Sequence, residues 1–201
     1  MEVTLRALVT VFHGMLFGAF FLMAVFGLVV ELCRSKFVER PEQITPKGDS
    51  LERLYLIGMV GLGWAAVLTG AYIIYPWYRA VPPAGLTDLA LYPRYLLKSN
   101  PTTAGWHDLG MEWKEYVAWM APIAMTMIAY VLTKYRLSIR DHPKVRTAVL
   151  AFALVAFGAA GVAGFFGAML NKYAPVTGGP TIHLRGKSQS LVSKTKAVHR
   201  L

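Results

Sequence analysis

The chain has 201 residues, of which 55% are hydrophobic and 16% are charged, with a formal net charge of +10 at pH 7. A soluble domain carries about 25% charged residues, so this composition argues against a water-soluble globular protein. The single cysteine excludes an internal disulfide and a cysteine-ligated iron–sulfur cluster.

Four apolar blocks separated by charged segments define the predicted architecture. Each block comes close to the roughly 20 residues that an α-helix needs to cross a bilayer, which indicates that the surrounding solvent is lipid. The sequence therefore predicts an all-α membrane protein, a bundle of four transmembrane helices within residues 1–174. The predicted helices cover residues 5–32, 51–75, 106–136 and 144–171.

One ionisable residue, His13, lies clearly inside an apolar block, in the first helix. Placing an ionisable group inside a membrane costs free energy, so such a residue is taken as a candidate functional residue. Helical spacing predicts that His13 shares a face with Thr10, Phe17, Phe20, Ala24, Gly27 and Glu31, and that this face points into the bundle or toward a partner. His13 is therefore either a neutral histidine hydrogen-bonded to a neighbouring helix, or an axial haem b ligand or quinone hydrogen-bond partner.

Small residues recur along helices 1, 2 and 4. They let helices approach closely in lipid, where hydrophobicity itself does not drive association. They predict tight packing within the bundle, contact with other membrane subunits, or room for a flat cofactor. Examples are Gly14 and Gly18, Gly58 and Gly61, and the row Ala160, Gly164 and Ala168.

The connection between helices 2 and 3, residues 76–112, is long and rich in proline and aromatic residues. Loops of this length are more often functional than shorter ones. Aromatic residues and arginine are also enriched in protein interfaces. The sequence therefore predicts an ordered cap that offers a docking surface to an extrinsic partner.

The start of the third helix combines a histidine with several acidic residues. If this segment is α-helical, Asp108, Glu112 and Glu115 share one face, with His107 and Met111 beside them. Carboxylates with a histidine at such spacing can bind a metal ion. The alternative is a solvated helix start whose acids favour the positive end of the helix dipole.

A membrane cytochrome b usually needs two histidines, and His107 is the one available partner for His13 near the bilayer. Counting the rise along each helix, the two differ in depth by about 15 Å, which is too much for the two ligands of one haem iron. Helices 2 and 4 contain no histidine. A haem held by His13 and His107 is therefore a hypothesis that the spacing disfavours.

Lysine and arginine residues predict the orientation. The two short connections, residues 33–53 and 134–146, are the more basic and should face the cytoplasm of a bacterial-type membrane, with both termini on the opposite side. The tail, residues 175–201, is basic and predicted to be extended. It would bind an acidic partner or anionic lipid rather than nucleic acid, because it lacks aromatic residues for stacking on bases.

These patterns predict an integral membrane subunit of a larger complex, of a respiratory or photosynthetic electron-transfer type, with a structural or docking role. The alternative is a membrane oxidoreductase subunit that binds haem b or quinone at His13. A small transporter is a third possibility, but few polar residues line the helices and no internal repeat is evident. The sequence contains no complete catalytic motif.

Overall fold

The computed structural model describes residues 2–33 and 46–183, with the side chains of residues 46, 47, 49 and 136–141 left aside. The chain is mostly helical in these ranges, and several helices contain π-helical segments. The α-helices are α1 Leu5–Val11, α2 Phe20–Cys33, α3 Pro46–Thr69, α4 Tyr75–Tyr78, α5 Pro93–Lys98, α6 Pro101–Gly105, α7 Met120–Asp141 and α8 Pro143–Tyr173. The π-helical segments are π1 Phe12–Ala19, π2 Gly70–Ile74, π3 Trp106–Met111 and π4 Trp113–Val117.

Consecutive segments join into helices long and apolar enough to cross a membrane, and the described residues contain four of them. This confirms the predicted number of spans and supports a membrane protein. The spans are Leu5–Cys33, Ser50–Tyr78, Pro101–Tyr135 and Pro143–Tyr173.

Two predicted boundaries were placed too far inside the helices. The second helix continues through Pro76 to Tyr78, and Pro76 follows shortly after the π-helical turn Gly70–Ile74. The third helix begins at Pro101 rather than near residue 106, with Asn100 accepting a hydrogen bond from the backbone N–H of Thr102 as an N-terminal cap. The third span therefore includes residues that the sequence pattern assigned to the loop.

Each span contacts its neighbours in the chain, and the fourth also contacts the first. Arg146 donates a hydrogen bond of 2.8 Å to the carbonyl of Leu32, which joins the ends of the fourth and first spans. The main apolar core lies in the halves of the spans near the two short connections. Its members are Phe21, Val25, Leu28, Leu32, Leu56, Met59, Ala121, Met125, Ile128, Leu132, Val149, Ala153 and Ala156.

The outward faces of the spans are apolar. Met23, Ile57 and Phe152 are each about half exposed or more. No polar or charged side chain in the described ranges is fully buried. A lipid environment accounts for this pattern, since it solvates large apolar side chains that water would not.

The two ends of the described chain meet on the opposite side from the short connections. The strands β1, Glu2–Thr4, and β2, Thr181–His183, pair antiparallel, with Val3 opposite Ile182. Gly178 and Gly179 precede β2 with positive φ angles of 104° and 80°, which a side chain would disfavour. Most of the predicted basic tail, residues 184–201, lies outside the described residues, as do residues 34–45 of the first short connection.

Candidate intramembrane polar site

The π-helical segments are concentrated at the end of the spans that carries the chain termini. They contain five ionisable side chains: His13, His107, Asp108, Lys114 and Glu115. π-Helical turns inside α-helices are rare and are frequently found at functional sites. We call this part of the molecule the π half, and the apolar part near the short connections the core half.

The segment π1 determines where His13 points. In α2 the buried face consists of Phe21, Val25, Leu28 and Leu32, and a regular α-helix would continue that face to Gly14. A π-helical turn holds more residues, so the face shifts along the chain and His13 joins it. Gly14 is left facing outward, where an added Cβ would meet no atom within 4 Å.

The predicted face of the first helix therefore does not point into the bundle along its whole length, and its contact with a partner stays a prediction. Phe20 is 52% exposed, and Gly27 and Glu31 are also exposed. His13 nevertheless contacts the second span, because π1 changes the register between it and these residues. Sequence spacing alone cannot reveal this shift, since it assumes a constant number of residues per turn.

His13 contacts the second span at Thr69. The distance between His13 Nδ1 and Thr69 Oγ1 is 3.1 Å. The Thr69 hydroxyl donates its one hydrogen to the backbone, with distances of 2.6 Å to the Ala65 carbonyl and 3.2 Å to that of Ala66. Because this hydrogen is directed to the backbone, we assign Thr69 as the acceptor of the bond from His13, with the proton on Nδ1 and a lone pair on Nε2 of the neutral imidazole.

A glycine makes this contact possible. A Cβ added at Gly70 would lie 2.9 Å from His13 Cε1, closer than real Cβ contacts allow. The space left by the missing side chain is thus occupied by the imidazole. That leaves no room at Gly70 for the flat cofactor that the sequence analysis considered for the small-residue positions.

Lys114 is an ionisable residue of the spans that the sequence analysis missed. It lies in π4, and a Cβ added at Gly167 of the fourth span would lie 2.8 Å from its Nζ atom. The side chain is partly buried, and its ammonium has no hydrogen-bond or ion-pair partner among the described residues. The third uncharged block of the sequence begins at about Tyr116, two residues after Lys114, so Lys114 was not counted as a charge inside the membrane.

A second polar cluster lies closer to the termini. Tyr78 is 3% exposed, and its hydroxyl lies 2.7 Å from His107 Nδ1. Arg79 donates a hydrogen bond of 2.8 Å to the Tyr75 hydroxyl, and Glu115 lies beside that hydroxyl. This cluster connects the end of the second span to the start of the third.

The structure does not bring the proposed metal ligands together. Asp108 and Glu112 are exposed, whereas Met111 is 8% exposed and belongs to an apolar cluster with Tyr78 and Leu97. The segment is π-helical, so residues four apart do not form the face expected for an α-helix. No group of three or more histidine, cysteine or acidic residues suited to a metal ion occurs within the described ranges. The metal site remains an untested prediction.

The two histidines proposed for haem have different partners. His13 contacts the second span at Thr69, whereas His107 contacts Tyr78 at the end of that span. Tyr78 follows Thr69 by nine positions in the same helix. No contact between the two imidazoles is found in the described part of the chain, and haem ligation by this pair also remains untested.

The comparisons with known proteins give no family. The sequence matches no protein-family model, and no curated protein or solved structure shows significant similarity to it. Function must therefore be argued from the site itself.

Proposed function

We propose that this chain is an integral membrane subunit of a larger electron-transfer complex, in which it forms a four-helix bundle with a structural or docking role. The short connections face the cytoplasm of a bacterial-type membrane. The 76–112 loop offers a surface to an extrinsic partner, and the basic tail binds an acidic partner or anionic lipid. Other membrane subunits contact the small-residue faces of helices 1, 2 and 4.

The proposal rests on a set of glycines in the spans against which no other described part of the chain packs. A Cβ added at any of them would meet no atom within 4 Å. Glycine in a membrane helix allows close approach of a second helix, and no helix in the described part of the chain makes that approach here. These residues are Gly14, Gly58, Gly61, Gly158 and Gly161.

Extraction from the native membrane in mild detergent tests the proposal. We expect the chain to co-purify with other membrane subunits in fixed stoichiometry. Gly61→Leu and Gly158→Leu should weaken this association, because a bulky side chain prevents close helix contact. The control is Val155→Leu, since Val155 is 53% exposed on the fourth span and already carries a side chain. A monomeric protein, or glycine variants that co-purify as well as the control, would contradict the proposal.

A second function, haem b or quinone binding at His13, is supported by a different observation. A histidine that ligates iron usually donates its other ring N–H to a fixed acceptor. Thr69 is such an acceptor for His13. The free Nε2 lone pair suits either a haem iron or the hydroxyl of a quinol.

A reduced-minus-oxidised visible spectrum of the native protein separates these two cofactors. A b-type α-band that disappears in His13→Ala would establish haem. A flat spectrum from intact protein would exclude bound haem b and leave the quinone as the candidate.

A further inference from the structure

Lys114 is a charged group inside the third span that neither proposed function uses. Burying an ammonium ion without a partner is costly, and such residues in membrane helices default to functional roles. A long lysine side chain can also extend toward the interface to keep its charge in water. Gly167, which Lys114 approaches, is six residues before the end of α8 at Tyr173. The ammonium therefore lies about 9 Å inside the end of that helix.

The relative depth of Lys114 and His13 follows from the packing of the first and fourth spans. Leu22 packs against Gly164, where an added Cβ would lie 3.9 Å from Leu22 Cδ1. His13 is nine residues from Leu22 toward the termini, whereas Gly167 is three residues from Gly164 in the same direction. The two groups therefore differ in depth by about 9 Å, a separation that a ring with an oxygen at each end can bridge.

The two groups also have complementary hydrogen-bonding roles. His13 Nε2 is an acceptor, because Thr69 fixes the proton on Nδ1. Lys114 is a donor only. A para-quinol carries oxygens at opposite ends of its ring, each able to donate or accept, and so matches both groups at once.

We propose that His13 and Lys114 together bind the ring of a quinol or quinone. Lys114 donates a hydrogen bond to one ring oxygen, and His13 accepts one from the hydroxyl at the other end. The inference rests on the second proposed function, that His13 binds a membrane cofactor, and it selects quinone over haem.

This arrangement predicts that binding of the quinone and binding of the quinol depend differently on His13 and Lys114. The oxidised quinone has two carbonyl oxygens, so it accepts a bond from Lys114 but cannot donate one to His13. The quinol uses both groups. His13 therefore distinguishes the two forms, whereas Lys114 does not.

The test uses the full-length chain in detergent, with decyl-benzoquinone and its quinol as probes and quenching of tryptophan fluorescence as the binding signal. Lys114→Met should weaken binding of both forms by about tenfold or more, since it removes a charged hydrogen bond. His13→Leu should weaken binding of the quinol alone. The control is Lys172→Met, which removes an exposed lysine near the end of α8.

Folding is checked by helical circular dichroism and the midpoint of thermal unfolding. Lys114→Met should unfold at the same temperature as the unmodified chain or a higher one, because it removes an unpaired buried charge. Folded Lys114→Met that binds both forms undiminished would overturn the proposal, as would equal losses for both forms in His13→Leu. A haem band lost in His13→Ala, with quinone binding unaffected by Lys114→Met, would overturn the quinone site but keep a cofactor at His13. Co-purification of Lys114→Met with its partners reports separately on the subunit role.

Discussion

The core half and the π half of the spans differ in helix type, in polarity and in the use of glycine. In the core half the described helices contain no π-helical turn, and Val25, Met125 and Ala153 are completely buried. In the π half, three of the four spans contain π-helical turns, which carry His13, Lys114 and Glu115. One sequence thus combines a regular apolar core with an irregular polar region in the same four helices.

The glycines of the two halves differ in the side chains that pack against them. Gly63 accommodates the ring of Phe21, an apolar contact next to the core half. Gly70 and Gly167 accommodate the ends of His13 and Lys114 instead. Gly110, also in the π half, accommodates the ring of Phe166, so glycines there make room for both polar and apolar side chains. Stability should therefore depend mainly on the core half, and ligand binding on the π half.

The largest expected effect on stability is in the core half. Met125 is 0% exposed, and Met125→Ala should lower the free energy of unfolding by about 2–5 kcal/mol, through lost packing and a cavity. The matched control is Met127→Ala on the same helix, because Met127 is 44% exposed. Unfolding in detergent followed by circular dichroism measures both. Equal losses in the two variants would mean that the core half is not where the packing energy lies.

The core half is also the part of the fold that the sequence predicted best. An uninterrupted apolar block of this length satisfies its backbone hydrogen bonds in lipid by forming a helix. The number of spans therefore followed directly from the number of blocks. The ends of the helices were less well predicted. A proline at Pro76 or Pro101 marks the first turn of a helical segment as readily as the end of one.

The second prediction concerns the space beside Gly70 that the His13 imidazole occupies. Gly70→Leu should displace the imidazole and lower the free energy of unfolding by about 1–3 kcal/mol, because the site is already filled. Gly61→Leu on the same helix should cost much less in the isolated chain, since nothing lies within 4 Å of an added Cβ there. Thermal unfolding of the purified proteins compares them. Similar stability of the two variants would show that His13 does not occupy the space at Gly70.

The candidate site could be predicted only in part. His13 stood out because it interrupts an apolar block, but its partner Thr69 did not, since threonine is common in membrane helices. Lys114 lay within the predicted third helix but ahead of its apolar block, and the acidic residues of π3 and π4 were placed on an α-helical face that the segment does not have. The missing information is the helix type, which depends on packing between spans rather than on local residue preference.

The third prediction is smaller and tests the imidazole tautomer. Thr69→Val keeps the shape of the side chain but removes the acceptor for His13 Nδ1. The free energy of unfolding should fall by about 0.5–1.5 kcal/mol, the typical net contribution of one hydrogen bond. Nitrogen NMR of labelled histidine should report Nδ1–H in the unmodified chain and a mixture of tautomers in the variant. A protonated Nε2 in the unmodified chain would contradict the assignment.

The variant with the smallest expected change in stability tests whether ligand binding needs Lys114 at its observed position or needs only its charge. An added methyl group at Gly167 would lie 2.8 Å from the Lys114 ammonium, which can move aside because it ends a flexible side chain. Alanine is also favoured over glycine in a helix by about 0.5–1 kcal/mol, so Gly167→Ala should leave the free energy of unfolding nearly unchanged. The control is Gly161→Ala, which makes the same exchange with nothing within 4 Å. If Lys114 must occupy its observed position to bind a ring oxygen, Gly167→Ala alone should lower the affinity for the quinol probe. Equal affinity in both variants would mean that the place of the ammonium beside Gly167 is incidental to binding.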